Sequence, residues 1–104
     1  MAWLLLTLAG LLEIAFASSM KYSDGFTRLA PSMVTVATGL ASVALLSISL
    51  RSLPVGTGYA VWTGIGAAGT AIVGMAVLGD SAAPLRIACL VLILGGVVGL
   101  KLVS

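Results

Sequence analysis

Glu13 is the residue on which any chemistry in this chain must turn. It sits near the middle of AWLLLTLAGLLEIAFASSM, residues 2–20, an apolar run about as long as a bilayer core is thick. A carboxylate at that depth costs several kcal/mol unless it is protonated, paired or wetted. It is the only acidic residue within a predicted span, and every basic residue lies near a predicted helix end. An internal counter-ion is therefore not expected. What remains is a carboxylate for which a proton and a cation compete.

The neighbours of Glu13 fit that use. At about 3.6 residues per turn, Leu6, Ala9, Gly10, Glu13, Phe16, Ala17 and Met20 share one helix face. Small residues one turn away on either side leave room for a ligand or a second helix. A second set of polar groups, Thr35, Thr38, Ser42 and Ser49, falls on one face of the next apolar segment. Such hydroxyls either satisfy local backbone carbonyls or form a hydrogen-bonding seam, and spacing alone leaves both readings open.

The third segment adds Tyr59 and Trp62, which share a face with Thr63 and Gly66. Trp62 is deep for an interfacial anchor. Its ring and that of Tyr59 could attract a cation, and a tyrosine hydroxyl could donate to a carboxylate. Gly64 and Gly66 at mid-span would permit a bend, with passive close packing as the alternative. In the fourth segment the spacing of Gly95 and Gly99 is the small-xxx-small pattern of membrane helix pairing, and it reads as a dimerisation face.

These groups need elements to carry them, and the chain supplies four. The predicted spans are approximately 2–20, 31–50, 55–78 and 85–103, forming one transmembrane domain over 1–104. Asp24-Gly25 marks the first turn, and Pro31 suits the first turn of the second helix. Arg51, Ser52 and Pro54 separate the second and third spans. Gly79-Asp80-Ser81 and Pro84 separate the third and fourth. The uninterrupted apolar part of the last span, 87–100, is short, and Lys101 lengthens it by snorkelling to the interface.

Composition excludes most other classes. The chain is 61% hydrophobic and 8% charged, against about 25% charged in a soluble domain. Its mean hydropathy is +1.26. The start lacks the basic region of a signal peptide. With no histidine and one cysteine, Cys89, neither a histidine-centred metal site nor an intramolecular disulfide is expected. No nucleophile–base pair points to an enzyme, no catalytic residue or cofactor is expected, and a net charge of +2 is too dispersed for nucleic acid.

Orientation carries its own information. If the N-terminus, the loop at Arg51 and the C-terminus share a side, that side holds Arg51 and Lys101 while the other holds Lys21, Arg28 and Arg86. Lys/Arg bias sets topology, and a balance this even predicts no strong preference, so that both orientations could insert. That is a physical reason to expect an antiparallel dimer, with a single orientation set by a partner or by details of insertion as the alternative.

The segments AGLLEIAFASSMKYSDGFTRLAPS, LPVGTGYAVWTGIGA and VVGLKL resemble the small multidrug resistance family of bacterial exporters across essentially the whole chain. The resemblance implies an all-α, four-helix subunit in the bacterial inner membrane, working as an antiparallel, dual-topology homodimer. It implies exchange of protons for organic cations at paired glutamates. The family's carboxylate falls on Glu13, its aromatic pair on Tyr59 and Trp62, and its second-helix serine on Ser42. Gly10, Ser42 and the ending GLK at 99–101 are similar to the guanidinium-exporting branch. That branch usually has tryptophan where this chain has Phe16, which cannot donate a hydrogen bond. The expectation is a guanidinium-type exporter with relaxed selectivity. The alternatives are an exporter of quaternary ammonium and hydrophobic cations, or one half of a heterodimeric pair. Two other classes remain as rivals: an assembly subunit would not need Glu13, and a passive channel would ignore an opposing proton gradient.

Overall fold

A computed structural model describes residues 1–103. Four α-helices account for nearly all of them: α1 (Ala2–Tyr22), α2 (Leu29–Ser49), α3 (Val55–Val77) and α4 (Pro84–Val103). There is no strand among the described residues. The helices hold 20 to 23 residues, or about 30–35 Å at the usual rise, which matches a bilayer core. All four are apolar enough to cross a membrane, and this is a multi-pass membrane protein. The expected spans match these helices closely. α2 starts two residues earlier than expected, with Pro31 still in its first turn, and Pro84 itself opens α4, where its missing N–H is harmless.

The turn after α1 is tighter than its polar composition suggests. Ser23 is fully buried and caps the helix by donating its hydroxyl to the Met20 carbonyl at 2.7 Å. Its own carbonyl accepts from Thr27 and Arg28 N–H, both at 3.0 Å. Asp24, Gly25 and Phe26 all take positive φ to close the loop. Asp24 tolerates this conformation and Gly25 adopts it without steric cost.

α1 is the centre of the subunit. It packs along α2 and α3, whereas α4 packs on α3, with Lys101 reaching back to lie 5.6 Å from the Trp3 ring. The sealed core is small: Leu6 and Ala9 of α1, Leu46 of α2 and Val61 of α3. Around it, large apolar side chains such as Leu29, Leu85 and Leu102 face outward. That would be costly in water and is natural in lipid, where the outer surface needs no polar cover. No residue of α4 is buried.

Candidate functional site

Glu13 projects from the middle of α1 and is half-buried. α3 passes directly over it. A Cβ at Gly66 would stand 2.5 Å from the Glu13 Cγ, so only a residue without a side chain lets the two helices meet there. One turn earlier, Gly10 is buried under Ile65, whose Cγ2 would lie 2.6 Å from a Cβ at residue 10. Gly10, expected among the lining residues, is thus a packing contact that lets α3 approach. Among the described residues the Glu13 carboxylate has neither a hydrogen bond nor an ion-pair partner.

Two cavities meet at Glu13. One, of about 500 Å³, lies along α3 and is lined by Glu13, Tyr59, Trp62, Thr63, Thr70 and, at its far end, Asp80 and Arg86. The other, of about 360 Å³, opens between α1 and α2 and is lined by Glu13, Phe16, Val36, Leu40, Val43 and Trp62. Glu13 and Trp62 belong to both and form the partition. The first cavity mixes hydroxyls and charges with aromatic faces. The second is walled by hydrocarbon except for Glu13 and the indole.

The partition is held by a two-step hydrogen-bond relay. The Trp62 indole N–H donates to the Ser42 hydroxyl oxygen at 2.9 Å. That hydroxyl donates to the Ala9 carbonyl at 2.7 Å. Ser42 is fully buried and uses both donor and acceptor capacity. Ala9 stands one turn before Glu13, and in a regular α-helix its carbonyl also accepts the Glu13 backbone N–H. The relay therefore ties Trp62 of α3 and Ser42 of α2 to the turn of α1 that carries the carboxylate.

The other expected groups divide. Tyr59 and Trp62 stack obliquely, with ring centroids 5.6 Å apart and planes at 49°. Tyr59 lies at the cavity wall as an open aromatic face, not as a donor to Glu13. Phe16 packs its ring over Gly39, where a Cβ would come within 2.7 Å of the Cδ1. The hydroxyl row of α2 is not one seam. Ser42 alone reaches the site. Thr38 and Ser49 donate to the carbonyls of Val34 and Leu45. Thr35 bonds the Pro31 carbonyl and pairs with Ser19 at 2.8 Å, at a distance from the carboxylate.

Gly64 and Gly66 both act as contact points, Gly64 against Val97 of α4 and Gly66 against Glu13, and α3 is continuous α-helix through both. Gly95 and Gly99 face open space on α4. No group of residues able to hold a metal ion occurs among the described residues.

Sequence reasoning missed the Ala9 carbonyl, the Phe16–Gly39 contact, and the arrival of Asp80 and Arg86 in the same cavity as Glu13. The first is invisible in a side-chain reading. The last had a signal, the opposite charges flanking the α3–α4 turn, but no indication that the turn folds toward the site.

Comparison with known proteins finds relatives along nearly the whole chain. The family model described as "Small Multidrug Resistance protein" matches residues 1–93. Proteins named guanidinium exporter from Citrobacter freundii, Salmonella typhimurium and Escherichia coli (strain K12) are each 56% identical to this chain over 102 residues. Those matches cover 98% of this chain and 97% of each relative.

Proposed function

This chain belongs to the small multidrug resistance family, and we propose that it exports small organic cations, guanidinium among them, in exchange for protons. The observation that carries the reading is a single mid-span carboxylate, unpaired among the described residues, at the junction of two cavities. An ionised group without a partner is expensive inside a membrane. A proton or a bound cation each neutralises Glu13, so the loaded forms can cross between inward and outward states while the bare carboxylate resists the move. Because both ligands need the same oxygens, one leaves as the other arrives. That rule alone makes the transport an exchange.

Guanidinium suits the site in two ways. Its parallel N–H groups match the two oxygens of a carboxylate. Its flat face can lie against the rings of Tyr59 and Trp62, which line the cavity beside Glu13. The apolar second cavity supports a wider range, since alkyl substituents on the cation can occupy the space between Phe16 and Leu40. Flexing of α3 at Gly64 and Gly66 would carry the change of access.

The working unit in this reading is an antiparallel homodimer embedded in the bilayer. Two features support it. α4 presents Gly95 and Gly99 on a surface where no side chain crowds them, and the basic residues are nearly balanced between the two ends. Glu13→Gln tests the core of the proposal. Reconstituted in liposomes, the variant should fold and assemble yet give no guanidinium-driven current on solid-supported membranes. Normal exchange by Glu13→Gln would refute the mechanism, and wild-type flux indifferent to a proton gradient would indicate a channel.

A further inference from the structure

The cavity that begins at Glu13 ends at a second carboxylate. Asp80 and Arg86 line its far end, beside the turn that joins α3 to α4. Gly66, which touches Glu13, and Gly74, which touches Asp80, lie on the same helix. Their spacing corresponds to about 12 Å of helical rise. One continuous groove therefore connects a carboxylate at mid-span with another at the span's end.

Asp80 is placed there by the fold. Leu78 and Asp80 both donate backbone N–H to the Gly74 carbonyl at 3.0 Å, and Gly79 takes φ +77° to allow it. This turns the chain back over the end of α3. The Asp80 carboxylate then occupies the space in which a side chain at residue 74 would begin. Gly74 is what lets the carboxylate lie against the helix.

Its partner is loosely held. The Arg86 guanidinium stands 3.7 Å from Asp80 Oδ2, beyond hydrogen-bonding distance, with both side chains about half-exposed. Among the described residues no hydrogen bond reaches the Asp80 side chain. The carboxylate thus keeps free acceptor capacity while facing a guanidinium that belongs to the protein itself.

We propose that Asp80 is an outer binding site for the transported cation, at which a substrate guanidinium displaces that of Arg86. This rests on the exporter reading and extends it to the path between Glu13 and the membrane surface. The chemistry of the two carboxylates is the same, but their strength differs. Glu13 is shielded by the helix packing, whereas Asp80 is wetted and already weakly neutralised. A cation at Asp80 is held briefly. Arg86 closes behind it, restoring the pair and keeping the outer carboxylate from trapping the substrate.

The two members of the pair make opposite predictions. In proteoliposomes, Asp80→Asn should raise the half-saturating guanidinium concentration, and Arg86→Gln, which frees Asp80, should lower it. Each shift should be about two- to fivefold, the range an exposed ion pair supplies. Gly74→Ala, which crowds the carboxylate out of the groove, should act as Asp80→Asn does. Near 1 M salt, where the Debye length is about 3 Å, the difference between Asp80→Asn and wild type should vanish. A turn that is merely structural would make both substitutions shift the constant in one direction or not at all, and that result would overturn the proposal.

A binding measurement separates this from the exporter reading. Titrating guanidinium into the 15N-arginine-labelled full-length protein should shift the Arg86 Nε resonance, and Asp80→Asn should abolish the shift. The shift without wild-type current would sustain the outer site and refute export. Current without the shift would sustain export and refute the outer site.

Discussion

Removing the Ser42 hydroxyl is the sharpest test of how the site is held. Ser42→Ala breaks two hydrogen bonds at once, Trp62 to Ser42 and Ser42 to Ala9. The two orphaned groups differ in what they lose. The Ala9 carbonyl keeps its helical bond to the Glu13 N–H, so its loss is at the low end of the usual range. The indole N–H of half-buried Trp62 adjoins both cavities and can find water. Together these losses amount to about 1–2 kcal/mol, small enough for the subunit to remain folded. The larger consequence is for binding. A Trp62 ring no longer tethered must be ordered each time a cation docks, and ordering one such side chain costs about 0.5–1.5 kcal/mol. The half-saturating guanidinium concentration should therefore rise about two- to tenfold. The assay is the current–concentration curve on solid-supported membranes for wild type, Ser42→Ala, Trp62→Phe and the double variant. Since both single changes cut the same link, the double variant should fall well short of additivity. An unchanged Ser42→Ala curve, or effects that add within about 0.3–0.5 kcal/mol, would refute the claim that the relay organises the site.

The remaining predictions concern selectivity and assembly. Phe16→Trp should sharpen preference for guanidinium over tetrapropylammonium by about tenfold or more, the worth of a regained hydrogen bond to a charged group. The ratio of the two transport currents measures this, and an unchanged ratio would reduce Phe16 to a packing partner of Gly39. Adding two lysines at the C-terminus should force subunits into one orientation and abolish exchange. Coexpression with an oppositely biased variant should restore it, and a wild-type C-terminal tag found on one side of the membrane only would refute the dual-topology dimer.

Membrane insertion, four spans and the cost of a carboxylate at residue 13 are all legible in the sequence because they depend on local properties. A bilayer imposes a length and a polarity on each helix independently, so apolar runs and their breaks at Asp24-Gly25, Pro54 and Pro84 place the elements to within a few residues. The lone carboxylate is conspicuous for the same reason: depth along one helix suffices to make it costly. What a given residue touches is another matter. Thr35, Thr38, Ser42 and Ser49 share a helix face, yet only Ser42 joins the site, because α1 and α3 come close enough to bracket that one turn of α2. Gly10 and Gly66 flank the carboxylate as points of helix approach, and their role follows from where Ile65 and Glu13 land across the interface. Asp80 and Arg86 read as loop charges until the turn at Gly79 folds them over α3 and into the groove. Periodicity assigns a residue to a face of its own helix. Only the relative rotation and closeness of the packed helices decide which faces meet, and that decision placed Trp62, Ser42 and Ala9 in one line beside Glu13.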